Sequence, residues 1–130
     1  MGMPAAKQMD RVTALDTHLV QPPGSVPPIS TPHPFSGILS EQLSATVRIE
    51  GRAAATVGSV ALNMPPHLPI GGISFVNPPT NRGTIRTGST TVRINGRSAA
   101  RAGDPATTCA DPLPNLGAQV VAAGTVRIGP

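Results

Sequence analysis

A chain of 130 residues has the length of a single domain, yet with two aromatics, Phe35 and Phe75, 14 glycines and 16 prolines it has little bulk to fill an interior. Only 12% of the residues are charged, which is not the composition of a self-repelling disordered chain, so a compact, loop-rich, all-β fold that needs a staple is expected. One cysteine excludes an intramolecular disulfide, no segment approaches the roughly 20 apolar residues of a membrane-spanning helix, and a net charge of +4 without stacking aromatics gives little support to nucleic-acid binding.

Met1-Gly2 ahead of a second methionine, Met3, reads as an added start. Lys7, Asp10, Arg11 and Asp16 interrupt any apolar run, so no secretory signal is expected and synthesis in the cytoplasm is. Residues 4–10, PAAKQMD, resemble 98–104, SAARAGD, in their paired alanines, basic residue and closing Asp. A Pro-rich connection at 21–37 follows, expected to be an ordered extended loop. Residues 45–59, ATVRIEGRAAATVGS, then align without a gap to 90–104, TTVRINGRSAARAGD, with nine of fifteen positions identical. In each copy Val and Ile alternate with polar residues, the period of a half-buried strand. Glu50-Gly51 and Asn95-Gly96 are tight-turn signals, so each copy predicts a β-hairpin whose alanine-rich return strand spans Ala53–Val57 or Ser98–Ala102. A second Pro-rich connection occupies 63–83. The chain closes on Thr125–Ile128, a leading strand without its return, whereas the front copy is a return without its leading strand. Pairing the two completes a third hairpin and predicts a pseudo-threefold ring in which the termini meet.

Against that register, His18 lies eight residues after Asp10, His67 eight after Ser59, and Cys109 five after Asp104. Threefold closure would bring all three to the axis, and His33, held between Pro32 and Pro34, could supply a fourth ligand. Three imidazoles and a thiolate suit a closed tetrahedral Zn²⁺ site, a cross-link of long loops that a core-poor fold would use well. The alternative is three unrelated histidines and a small buried cysteine, since the spacings fit no local zinc motif. Catalysis has little support. All four donors would be consumed as ligands, no H-E-x-x-H or G-x-S-x-G is present, and Asp16, two residues before His18, suits hydrogen bonding around the site or its loop better than general-base work. The chain is therefore read as a non-enzyme.

Pro4-Ala5-Ala6-Lys7, Ala53-Ala54-Ala55-Thr56 and Ser98-Ala99-Ala100-Arg101 resemble the degenerate Pro-Ala-Ala-Arg motifs of the PAAR-repeat proteins, and the resemblance extends over essentially the whole chain. The motif's Pro survives only in the first copy and its Arg only in the third, with Lys in the first. The resemblance implies a single small conical β domain over residues 1–130, with zinc bound near the apex by His18, His33, His67 and Cys109. It also implies that one such monomer caps a trimeric β-helical spike, VgrG-like or phage gp5-like, in a type VI secretion system or an extracellular phage-tail-like particle. The tip would touch the target membrane transiently, carry cargo in some systems, and leave the cell with the spike. No toxin domain follows Pro130, so a bare tip is expected. Arg48, Arg93 and Arg127 would stand at equivalent exposed places around the cone. The competing readings are a polyanion- or nucleic-acid-binding β-repeat protein using those arginines and a small zinc hydrolase.

Overall fold

Strand-period alternation and turn residues dominate the chain, and among the described residues the structure contains strands and no helix. The computed structural model describes residues 2–130; the expected added start at Met1 lies outside the described residues. Thirteen strands follow in order among those residues: β1 Met3–Pro4, β2 Arg11–Gln21, β3 Ile29–Glu41, β4 Arg48–Ile49, β5 Arg52–Ala53, β6 Val60–Asn63, β7 Ser74–Phe75, β8 Arg82–Ile85, β9 Arg93–Ile94, β10 Arg97–Ser98, β11 Pro105–Thr108, β12 Asn115–Val121 and β13 Arg127–Ile128.

Three short hairpins form one end. β4 pairs with β5 and β9 with β10, each through a turn whose two central residues have positive φ: Glu50 and Gly51 at 51° and 79°, Asn95 and Gly96 at 53° and 79°. This is the two-residue turn whose twist matches that of the flanking strands. The third hairpin joins the chain's two ends, with Met3 opposite Ile128 and Pro4 opposite Arg127. The phase of the repeat therefore predicts the closure correctly. The three arginines are equivalent and exposed: Arg48 donates to the Gly51 carbonyl, Arg93 to that of Gly96, and Arg127 to that of Gly2.

The expected five-residue return strands are only two residues long, and the reason lies at the axis. Ala54 and Ala99 still donate their N–H groups to Val47 and Val92 of their own hairpins, and from Ala55 and Ala100 onward the chain bonds the neighbouring repeat. Ala6 N–H donates to Ala100 O at 2.9 Å, Ala100 N–H to Ala55 O at 3.1 Å, and Ala55 N–H to Ala6 O at 3.0 Å, which closes a ring of three hydrogen bonds. Flanking bridges repeat the pattern between Lys7 and Ala54, Thr56 and Ala99, and Arg101 and Ala5. All three axial alanines are fully buried. Beside the ring, each copy turns on a side-chain cap of a backbone N–H: Lys7 N to Asp10 Oδ2, Thr56 N to Ser59 Oγ, and Arg101 N to Asp104 Oδ2. The middle copy, weak as a motif, keeps this cap with a hydroxyl in place of a carboxylate. It lacks the ion pairs that Lys7–Asp10 and Arg101–Asp104 add in the others.

Each repeat then sends a longer hairpin toward the opposite end. β2–β3, β6–β8 and β11–β12 pair in the ring β2-β3-β6-β8-β11-β12-β2, all antiparallel, which closes a small six-stranded barrel, and β7 adds to the far end of β2. Its interior is lined mainly by small or branched residues, among them Val12, Leu39, Ala61, Ile85, Ala106, Ala118 and Val120. Phe35 is the one aromatic in this core, and glycines make room for its ring. A Cβ on Gly37 would stand 2.7 Å from Phe35 Cε1, and one on Gly83 3.1 Å. A narrow barrel of this kind fills with few aromatics, so the thin composition is matched to a thin interior.

The stretch 29–37, expected to be loop, is the first part of β3, and His33 sits on that strand opposite Asp16. Pro32 and Pro34 are tolerated because β6 bonds only the later part of β3, from Gly37 onward, which leaves the free side of the strand at 32–34 without a ladder to interrupt. The loop proper is 22–28.

The axial ring makes one position unusually sensitive to size. Ala55→Val should destabilise by about 1–3 kcal/mol in chemical denaturation, because an overpacked site must push apart three bonded backbones. Ala123→Val, on an exposed position, should change stability by less than about 0.5 kcal/mol.

Candidate metal centre

The three long hairpins carry their turns at the end of the barrel opposite the axial ring, and the histidines and cysteine are delivered there by different routes. His18 lies on β2, where alternation turns Val12, Asp16, His18 and Val20 inward and buries them. His33 lies on β3 and is equally buried. His67 follows β6 in the loop 64–73, and Cys109 follows β11 directly. The imidazole rings of His18, His33 and His67 stand 4.9 to 5.5 Å apart between centroids, and Cys109 Sγ lies 3.8 Å from His18 Nε2. All four residues singled out from the sequence thus meet in one place, roofed by Phe75 against His18 and His33 and floored by Phe35 near His67.

The tightest donor group within this cluster is Asp16, His18, His67 and Cys109, whose ligand atoms all lie within 4.8 Å of one another. Asp16 is fully buried. It accepts hydrogen bonds from the Thr108 hydroxyl, the Asn115 amide and the Cys109 thiol, and its Oδ2 is 3.8 Å from His67 Nε2. The sequence reading of Asp16 as a hydrogen-bonding partner of the site matches these contacts, and its closeness to His67 adds a donor the sequence did not mark. His33 stands slightly apart because both its nitrogens are engaged. Nδ1 donates to the Thr31 carbonyl at 2.8 Å, and Nε2 accepts from the Ile70 N–H at 3.2 Å.

The surroundings hold the rings in orientations a metal would use. Asp111 Oδ2 is 3.4 Å from His18 Nδ1 while its Oδ1 accepts from the Leu19 N–H. With the proton on Nδ1, the lone pair on His18 Nε2 points to the thiol, the usual arrangement around a metal-bound histidine. Asp111 was not marked from the sequence; the only signal was its place two residues after Cys109. Asn81 accepts from the His67 backbone N–H at 2.8 Å, and Asn63 lies against both Asn81 and His67 Nδ1. Among the described residues, His67 Nε2 is the one buried side-chain nitrogen or oxygen without a hydrogen-bond partner. An orphaned imidazole nitrogen facing a thiol and a carboxylate fits a bound cation, which would satisfy all three at once.

Burial sets the protonation states. It holds the His67 pKa below the ordinary histidine value, with His18 nearby acting in the same direction against the opposing pull of Asp16. It pushes the Cys109 thiol up to about 11, and the Asp16 carboxylate adds to the rise. The metal-free site therefore holds a thiol at neutral pH, and a cation binding there must displace that proton.

These directions fix a pH dependence for metal-free protein. The unfolded chain takes up a proton on His67 near pH 6.5 and the folded protein only at lower pH. The stability associated with neutral His67 is present above about pH 6.5 and is lost as pH falls through the folded value. Chelator-treated protein should melt at a lower temperature at pH 5 than at pH 7, and His67→Gln should flatten that slope in a thermal melt series.

No curated protein and no solved structure shows a significant match to this chain. The family model described as the PAAR motif matches residues 77–129, a span that contains the third repeat, Cys109 and the closing strand β13. The chain thus carries a PAAR motif over these residues, consistent with a PAAR-repeat protein of contractile injection systems, a structural spike-tip family.

Proposed function

We propose that this protein is a zinc-stabilised tip that caps and sharpens the trimeric β-helical spike of a contractile injection system and helps it enter the target membrane. The observation that carries this reading is the closed pseudo-threefold ring, in which one chain presents three equivalent hairpins at one end and gathers its metal-type donors at the other. A trimeric spike ends in three equivalent strand edges, and a single chain with three equivalent hairpins can meet all of them, one tip per trimer. At that end Ile49, Ile94 and Ile128 cluster with Ala5, Ala54 and Ala99, with Val47 and Val126 exposed beside them. This apolar triangle, rimmed by Arg48, Arg93 and Arg127, is the docking face in this proposal. The spike would be a VgrG-like or phage gp5-like protein, and the tip would be made in the cytoplasm and leave the cell with it.

Zinc would be held by His18, His67 and Cys109 with His33 as the fourth ligand, once His33 Nε2 releases the Ile70 N–H. It would supply no chemistry of turnover, only a cross-link between β2, β3 and the loops after β6 and β11. A link among segments so far apart in sequence suits a fold with one aromatic in its core. The neighbouring carboxylate gives a second donor set in which Asp16 replaces His33.

Elemental analysis of purified protein should find one zinc per chain. His67→Ala should lose it and melt well below the wild type, whereas a cooperatively folded wild type without stoichiometric metal would overturn the staple. Zinc retained in Asp16→Asn but lost in His33→Ala supports the three-histidine set, and the reverse assigns Asp16. Mixed with its trimeric spike, the protein should co-elute as one chain per three, and absence of any complex would overturn the tip reading.

A further inference from the structure

Charge is distributed very unevenly along the barrel axis. Segments 12–35, 63–81 and 107–118, which build the metal-bearing end and its loops, contain no Lys or Arg at all. Their only acids are Asp16 and Asp111. Asp16 is fully buried, and both Asp111 oxygens turn inward, to Leu19 N–H and to His18. Eight of the ten cationic side chains belong to the axial ring, the short hairpins or strand ends away from those loops. The other two are spent at the border of this end, Arg82 at the start of β8 in an ion pair with Glu41 and Arg86 as donor to the Leu116 carbonyl.

What this uncharged end exposes instead is large and aliphatic. Leu113 is 77% exposed, Leu68 76%, Ile73 67% and Leu15 62%, and Leu116 and Ile70 are also at least half exposed. They project from different loops and strands around the end and line no single groove. The same segments hold thirteen of the sixteen prolines. Each proline removes a backbone N–H, so these loops have fewer donors to strip of water than ordinary loops of their length.

We infer that the metal-bearing end is a lipid-insertion surface, which partitions into the hydrocarbon of a bilayer without need of anionic headgroups. This deepens the tip reading and rests on it for the direction in which the protein is driven. Three observations select lipid over a protein partner. Separate aliphatic knobs around a blunt end match a fluid phase and not a preformed pocket. The scarcity of exposed charge lowers the largest cost of entering a low-dielectric medium. The proline-rich loops leave few unpaired donors where the bilayer offers no acceptors. An anionic membrane surface would instead be met by a cluster of free lysines and arginines, and these segments contain none.

The chain has no tryptophan, so Leu113→Trp introduces a single fluorescent reporter at the most exposed of these aliphatic positions. With zinc-loaded protein and phosphatidylcholine vesicles, its emission should shift to shorter wavelength, independent of salt. Val126→Trp, on the hairpin end, should not shift. In a flotation assay the variant carrying Leu68→Ser, Ile73→Ser and Leu113→Ser should partition about tenfold less, or weaker still. Emission unchanged at any vesicle concentration overturns the proposal, and so does binding confined to anionic vesicles and abolished by salt. Either result, with zinc content and spike binding intact in Leu113→Trp, leaves the tip reading standing. Partition retained in a protein that fails to bind the spike upholds the insertion surface and counts against the tip.

Discussion

Everything in this molecule depends on three backbone hydrogen bonds among Ala6, Ala55 and Ala100. They join one residue from each repeat in a closed cycle, and no pair among them is close in sequence. Side chains larger than a methyl group have no space at such an axis, because three backbones within hydrogen-bond reach leave only a narrow centre. The paired alanines of each copy follow directly: one member forms the ring, and its neighbour bridges to the adjacent repeat. The basic residue and the acid or serine three positions on then cap the turn that leads the chain away from the axis. In this way the motif is a set of instructions for building a threefold vertex, and its tolerance for Thr56 and Ser59 shows that the cap matters more than the charge.

Once the vertex is closed, the three hairpins that leave it have no choice but to pair side by side and shut the barrel. Closure removes the edge strands that an open sheet of this size would expose. It also explains how so few bulky residues suffice. The interior is narrow, Phe35 packs in it against two glycines, and the layer beside its ring is filled by imidazoles in place of aliphatic side chains. The cluster of His18, His33, His67 and Cys109 is thus the upper layer of the core as well as a donor set. A cation bound there would act where the apolar packing runs out.

The two ends of the axis have opposite character for the same reason. At the vertex the chain is short-looped and its arginines can fan outward over exposed hairpins. At the far end the connections are long, and the burial of Asp16 and the inward turn of half-buried Asp111 toward His18 leave the loops without exposed acids and studded with aliphatic residues. Polarity along the axis is a consequence of where the donors are spent.

The sequence by itself determined the all-β class, the two tight hairpins, the threefold phase and the completion of the third hairpin by the chain's ends. These are local signals, alternation and turn residues, repeated in register, and repetition makes them legible. It also pointed to the four residues that meet at the far end, because equivalent repeats deliver equivalent loops to one axis. Only the tertiary structure decided what the alanines do. A return strand and an axial bridge have the same local pattern, and the difference lies in a partner some 45 residues away in the next repeat. It also placed His33 on a strand in spite of its flanking prolines, since their missing donors fall on a side with no neighbour. Finally, it brought Asp111 to His18 and Asp16 to His67, contacts between loops and strands that no spacing encodes because they exist only when the barrel is closed.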